Sequence, residues 1–371
     1  MSVPNTQIGD LPPEDSFDAE RALVHCLVFV GGERSGESIV LDDEPLTIGR
    51  AVDNDLRLDD LTASRNHATV QMRGPLAEVQ DLGSLNGTYI NNVRIEAAGV
   101  LDPGTLLQIG DHVMRFTMRS REEVRAADAQ AADLSRAIKY VRSLLPKKID
   151  RGPVILDWEF AQCTKLGGDI FGYRELGEDG AAMFIIDVSG QGIGSAMHAT
   201  NIHSLLAQEE VPGVDMRNPA QVLTYLNKRF KMEEHQGLCF NMWYGYYSFR
   251  DRRLTYACGG HHPCFLTAPD RAHMVPLHIN DPMLGAFQSQ RYQAAVIDVP
   301  KSWNLFMFSD GAFDIVDKNG KGWTLSDFEA LLGAQGVVEP GEPARIFSAI
   351  RHEAKPGPLS DDCSIVSLTF V

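Results

Sequence analysis

The sequence predicts two domains, an all-β sandwich followed by an α+β domain, joined by a helical linker. Residues 23–118 carry only short β-rich runs separated by Gly, Asn and Asp; residues 120–145 carry a helical heptad; residues 151–371 alternate hairpin-forming strands with helical stretches. The expected boundaries are a disordered tail over 1–22, the sandwich over 23–118, the linker over 119–150 and the α+β domain over 151–371.

In the sandwich the strand runs are LVHCLVFV, SIVL, PLTIG, ATVQM, AEVQDL, TYINNV, TLLQIG and HVMRFTM. Between them stand Gly49-Arg50, Asn54-Asp55, Ser64-Arg65-Asn66-His67-Ala68 and Asn86-Gly87-Thr88, in loops that a sandwich gathers at one end. The Arg50 guanidinium and the Ser64 hydroxyl suit phosphate oxygens, and Arg65 adds charge. Asn86 could hold a ligand's backbone, although Asn86-Gly87 also satisfies a turn unaided. These G-R, S-R-x-H and N-G-T elements, in this order and spacing, resemble the forkhead-associated (FHA) domain across roughly residues 23–118. The resemblance implies a phosphothreonine-binding module in which Arg50, Ser64, Arg65 and Asn86 meet the ligand while His67 braces the loop.

In the linker Val124, Ala127, Ala131, Leu134, Ile138, Val141 and Leu145 step by three and four, and Pro146 ends the run. Such a seam suits either a modest coiled-coil homodimer through residues 120–145 or packing on the chain's own domains.

In the last domain ILDWEF, IFGYREL, AAMFIIDV, FNMWYGYYSF, RRLTYACGG, CFLTA, QAAVIDV, NLFMFSD and CSIVSLTFV read as strands. Residues 194–210, 218–234, 324–333 and 342–354 read as helices. Hairpins dominate, which points to antiparallel sheets covered by helices. The apolar run Met183 to Ile186 ends in Asp187, then a glycine-rich turn leads into a helix. With Glu178 and Asp179 as a hairpin loop, Asp187 falls opposite Ile170, one step from Asp169 of LGGD. Two carboxylates that close repel unless a cation lies between them. Later, Leu305 to Phe308 ends in Ser309-Asp310-Gly311, and Ser360-Asp361-Asp362 precedes the final strand. Antiparallel pairing of those strands brings Asp310 and Asp361 to one edge. Four carboxylates at strand ends suit Mg²⁺ or Mn²⁺, which take oxygen ligands.

The blocks LLP, LGGD, DVSGQG, WYGYYSF, LTYACGGHHP, MLGAF, FMFSDGAFD and DDCSIV, in that order from Ser143 to Val371, resemble the metal-dependent type 2C (PPM) protein phosphatases, in the bacterial branch of SpoIIE and RsbU. The resemblance implies an αββα sandwich, two divalent metal ions (Mn²⁺ or Mg²⁺) and hydrolysis of phosphoserine or phosphothreonine by activated water. Carried over, Asp187 would bridge both metals with the Val188 carbonyl on one, Asp310 and Asp361 would bind the second, and Asp169 would hold metal-bound water. A phosphorylated anti-sigma-factor antagonist is the kind of substrate implied. In two places the chain departs from the family: Gln191 stands where a histidine is usual, removing a proton donor, and Gly172 stands where a second acid is usual, removing an outer-shell carboxylate. The expectation is a bacterial signalling phosphatase, targeted or regulated by its phosphothreonine module. The alternative, which the two departures favour, is a phosphothreonine-binding scaffold with a weakly active or inactive phosphatase-fold domain.

Other classes of function fit less well. A net charge of −16 over 371 residues disfavours nucleic acid as a partner. No apolar run approaches the ~20 residues that span a bilayer. The first 22 residues are acidic and proline-bearing, without a signal-peptide pattern. Six cysteines without a C-x-x-C pair read as reduced thiols of a cytoplasmic protein. Cys258-x-x-His261-His262-x-Cys264 has zinc-ligand residue types, but adjacent histidines rarely serve one ion. Gly190-x-Gly192 has Ser195 at the third glycine position of a dinucleotide loop, and Asp187 would repel the phosphates.

Overall fold

Short strand formers between turn residues build the N-terminal unit of the computed structural model, which describes residues 22–31, 34–161, 166–208, 211–334, 336–355 and 359–371. The expected tail, apart from Ala22, lies outside the described residues, as does Cys163. The strands are β1 (Leu23–Phe29), β2 (Ser38–Val40), β3 (Leu46–Gly49), β4 (Leu56–Arg57), β5 (Ala68–Arg73), β6 (Leu76–Asp81), β7 (Thr88–Ile90), β8 (Val93–Arg94), β9 (Ala98–Leu101), β10 (Leu106–Ile109) and β11 (His112–Ser120). They form two sheets, ordered β2-β1-β11-β10-β7-β8 and β4-β3-β5-β6-β9. Leu27, Phe29, Ile48, Val70, Val79, Leu107, Met114 and Phe116 fill the space between them. Burying each such side chain contributes about 1.5–3 kcal/mol. TYINNV, expected as one strand, is a hairpin: Asn91 and Asn92 take φ of 48° and 67°, which closes a two-residue turn between β7 and β8.

Helix α1 (Arg121–Leu144) opens on a reciprocal cap. The Glu123 N–H donates to Ser120 Oγ (3.1 Å), and the Ser120 N–H donates to Glu123 Oε2 (2.7 Å). Its seam residues are used within the chain. Val124 packs with Cys26 and Val28 of the first unit, while Ile138, Val141 and Leu145 join the core of the second. The chain accordingly divides between Asp133 and Leu134, inside the helix. Of the two readings of the heptad, packing on the chain's own domains is the one that accounts for this burial.

The second unit holds β12 (Val154–Ala161), β13 (Asp169–Glu175), β14 (Gly180–Val188), α2 (Ile193–Leu206), α3 (Pro219–Arg229), β15 (Phe240–Ser248), β16 (Arg253–Gly259), β17 (Cys264–Thr267), β18 (Met274–Leu277), β19 (Ala295–Asp298), β20 (Asn304–Phe308), α4 (Leu325–Leu332), α5 (Glu342–Glu353) and β21 (Cys363–Phe370). Two antiparallel sheets, β13-β14-β15-β16-β19 and β12-β21-β20-β17-β18, stack face to face. Helices α2 and α3 cover the first, and α4 and α5 cover the second, where Phe328 meets Phe308. This is the αββα sandwich. Two helices end earlier than expected: α2 at Leu206, and α3 at Arg229, where buried Phe230 leaves helical geometry (φ −114°, ψ 69°). No described helix is long and apolar enough to cross a membrane.

Candidate active site

The hairpin β13–β14 sets the site. Asp169 lies directly opposite Asp187, and Ile170 opposite Ile186, one residue away from the expected register. The cause is the turn. Leu176 N–H donates to the Gly180 carbonyl (2.8 Å), so Gly177, Glu178 and Asp179 all lie in the loop, and Gly177 (φ 72°) supplies the left-handed step. An odd loop puts both carboxylates on the same face. On β20 and β21, Phe308 pairs with Ile365, so Asp310 just past one strand and Asp361 just before the other reach the same edge. All four carboxylates line one cleft of about 560 Å³ with Gly168, Val188, Ser189, Gly190 and Gln191.

The approach of the two sheet edges depends on glycine. A Cβ on Gly168 would lie 2.6 Å from the Val188 carbonyl oxygen, and one on Gly167 or Gly311 would collide with Asp362. Ser309 ties this corner: its hydroxyl donates to the Asp362 carbonyl (3.0 Å) and accepts from the Ser364 N–H (3.0 Å).

Electrostatically the cleft holds excess negative charge. Burial, then the neighbouring Asp187 charge, push the Asp169 carboxyl well above the ordinary range. Burial also raises Asp187, against a hydrogen bond from Asn241, with Asp361 adding to the rise. Asp310 is pushed up to about 7 by burial and by Asp187 and Asp361. Among the described residues no three acidic, imidazole or thiol side chains form a ready-made cage. The donor set still fits a hard cation: four carboxylates and the Val188 carbonyl are all oxygen, and Asp169 Oδ2 is buried without a hydrogen-bond partner. A divalent ion would relieve both the repulsion and the orphaned oxygen.

Asn241, on β15 opposite Asp187, was not identifiable from sequence. Its Nδ2 donates to Asp187 Oδ2 (3.0 Å). The β14–β15 register spans a long connection through two helices, so no local spacing signals the pair. Gln191 reaches back over the cleft, its Nε2 donating to Asp361 Oδ2 (3.4 Å) and the Ser360 carbonyl (3.3 Å). Gly172 changes meaning. Phe171, next to it, packs on Trp158 and Phe160 of the opposite sheet, so Gly172 points to the helix side, where a Cβ would strike the Phe184 ring. Position 172 therefore faces away from Asp169, and an acid there would not reach the cleft in this chain.

The candidate zinc cluster is a turn. Cys258 Sγ donates to the His261 carbonyl (3.0 Å), and the His262 ring stacks on Phe308 at 4.5 Å. The described cysteines, Cys26, Cys239, Cys258, Cys264 and Cys363, are free thiols.

In the sandwich, three loops converge as expected. Arg50 N–H donates to the Ser64 carbonyl (2.9 Å), and Ala51 N–H to the Arg65 carbonyl (3.0 Å). Leu85 N–H donates to Ser64 Oγ (3.0 Å), and Asn86 Nδ2 to the Thr62 carbonyl (2.7 Å). Arg50, Arg65 and Asn86 are exposed, and Ser64 is half-buried. His67 is fully buried: Nδ1 accepts from the Ser64 N–H (3.0 Å), which leaves Nε2 to donate to the Gly87 carbonyl (3.2 Å). Asn54 adds a tie, donating to the Ala51 (3.0 Å) and Arg65 (2.8 Å) carbonyls.

An FHA-like β-sandwich joined to an αββα sandwich with a carboxylate cleft defines a phosphatase-fold protein with an FHA-type module. The model of stage II sporulation protein E (SpoIIE) matches residues 177–371, more than half of the chain, and the chain belongs to that family. The FHA domain model matches residues 46–110. The phosphoserine phosphatase RsbP of Bacillus subtilis is 26% identical over 187 residues, 49% of this chain and 45% of that protein. In the sandwich, the oxoglutarate dehydrogenase inhibitor of Corynebacterium jeikeium is 42% identical over 96 residues, covering 26% of this chain and 66% of that protein. The glycogen accumulation regulator GarA of Mycolicibacterium smegmatis is 41% identical over 90 residues, 24% of this chain and 56% of that protein. The chain thus spans between 45% and 66% of these relatives. The solved SiaA-PP2C domain of Pseudomonas aeruginosa shares the fold, with a TM-score of 0.57 at 18% identity over 66% of this chain and 99% of that one.

Proposed function

We propose that the chain is a metal-dependent serine/threonine protein phosphatase in bacterial signalling, with its FHA domain docking a phosphothreonine-bearing partner. The observation that carries this reading is the pairing of Asp169 with Asp187 on one sheet and the meeting of Asp310 and Asp361 at the edge of the other, around one cleft. Asp187, Asp310 and Asp361, with the Val188 carbonyl, would hold two divalent ions, Mn²⁺ or Mg²⁺, and Asp169 would orient water beside them. When bound, such ions supply positive charge for the phosphoryl oxygens and lower the pKa of water. The chain's own part is positional. Asn241 holds Asp187 through Oδ2, Gln191 steadies Asp361, and no side-chain nucleophile is needed.

At the sandwich loops, Arg50 and Arg65 would pair with phosphate, Ser64 Oγ would donate to it, and Asn86 would meet the peptide backbone. Docking there would raise the local concentration of a phosphorylated substrate, for which an anti-sigma-factor antagonist is a suitable type. The scaffold alternative draws on Gln191, whose amide occupies Asp361 and cannot protonate a leaving alkoxide. Phosphate release from phosphoserine and phosphothreonine peptides, with Mn²⁺ and after chelation, separates the two. Metal-dependent release supports the phosphatase; binding of phosphothreonine peptide without release supports the scaffold.

A further inference from the structure

We propose that an apolar rim beside the carboxylate cleft is the docking surface for the phosphorylated substrate protein, selecting phosphorylated residues flanked by aliphatic side chains. The inference rests on the phosphatase reading and adds the chemistry of the partner. Helix α2 begins two residues after Gln191, a wall of the cleft. Its inward residues Ser195, Ala196 and Ala199 are buried, and Ser195 Oγ donates to the carbonyl of Ser189, another cleft residue (3.2 Å). The helix start is thereby tied to the cleft loop. Ile193 and Met197, one turn apart on one face, are 64% and 68% exposed. A surface helix normally turns polar residues to water there.

A second piece of rim approaches from the Asp187 side. A Cβ on Gly260 would lie 2.9 Å from the Met283 Cα and would collide with Asn241 Oδ1, so Met283 stands next to the residue that holds Asp187. Met283 and Phe287 are 38% and 60% exposed. Their turn is pinned by buried Asn227, whose Oδ1 accepts from the Gly285 N–H and whose Nδ2 donates to the Phe287 carbonyl, both at 2.8 Å. The apolar side chains are thus presented from backbone held in place.

The occupant follows from position and charge. A phosphoprotein whose phosphate reaches Asp187 and Asp310 must cover the residues beside them. The described lining of the cleft includes four carboxylates and neither Lys nor Arg, and the chain carries −16. Ions held by those carboxylates would draw the phosphate, but the described lining offers no basic side chain to the residues that flank it. Apolar contact around the cleft supplies the attraction, in keeping with the rule that grouped exposed apolar side chains mark interaction sites.

The test uses the full chain with Mn²⁺ and two phosphoserine peptides of equal charge, one with leucines flanking the phosphoserine and one with serines there. Phosphoserine keeps the phosphothreonine module out of the comparison. The wild type is expected to favour the leucine peptide by about tenfold in kcat/KM. In the Ile193→Ser/Met197→Ser double variant the leucine-to-serine ratio should fall below about threefold. Equal turnover of both peptides by the wild type, or a preference that survives in the double variant, overturns the docking surface and leaves the phosphatase reading standing. If sedimentation shows instead that the double variant dissociates an oligomer, the rim is a contact between copies and the proposal fails. Absence of turnover on both peptides and on a small phosphoester overturns the phosphatase reading itself.

Discussion

Asn241 meets Asp187 through a single hydrogen bond to Oδ2, which orients that carboxylate. Asn241→Leu keeps the γ-branched shape and removes the donor. Groups that orient a ligand in this way typically matter by about 10- to 100-fold in metal affinity. Calorimetric Mn²⁺ titration of the variant should show a loss of that size with the fold intact, whereas unchanged affinity would mean that Asp187 needs no such support. At this scale legibility depended on locality. Asp169, Asp187, Asp310 and Asp361 each end or flank an apolar run, so the sequence marks them one by one. Asn241 sits inside a strand whose partner is set by distant pairing, and nothing in its neighbours marks it. Position 172 is opaque for a related reason: the face of a strand residue follows from pleat and register, and only the packing of Phe171 and Phe184 settles which way Gly172 looks.

Elements carry the next layer, and their registers turn on single residues. The hairpin was readable from its alternating flanks, but Gly177 enters the loop through a left-handed φ that a four-residue GEDG string does not announce. That one residue turned an expected offset into a face-to-face pair. The linker presents the opposite case, with a periodicity that was plain and a partner that was not. Because Ile138 is buried in the second unit's core, Ile138→Ala should cost about 2–5 kcal/mol, read by tryptophan fluorescence, since all four tryptophans lie beyond residue 150. The loss should be independent of protein concentration; a dependence on concentration would return the seam to a dimer. In the sandwich, burial holds the His67 imidazole below its ordinary pKa, so its neutral form is the folded form. The stability it contributes is full above the unfolded value near 6.5 and is lost as pH falls below it. Protonation would turn the Nδ1 acceptor of the Ser64 N–H into a donor. Hydrogen-exchange protection of the Ser64 amide should therefore fall as the pH is taken below about 6.5 and lose that dependence in His67→Asn. Flat protection across the range would contradict the bracing role.

On the scale of the whole molecule, the chain combines an FHA-type module and a sandwich whose cleft concentrates uncompensated carboxylates. The class of both units was legible because their motifs are local strings in order, GR to SRNH to NGT in one and LGGD to DVSGQG to SDG to SDD in the other. Strands β4, β9 and β18 were not, being short and defined only by their neighbours. Clustered buried acids destabilise a fold unless they do something, and metal-dependent hydrolysis is the use proposed for them. Its most direct test is turnover of p-nitrophenyl phosphate by the full chain, with and without Mn²⁺, beside Asp187→Asn. Turnover should appear with Mn²⁺, disappear on chelation and fall at least about a hundredfold in Asp187→Asn. A folded protein that binds Mn²⁺ and hydrolyses nothing, or one whose turnover survives Asp187→Asn, would contradict it.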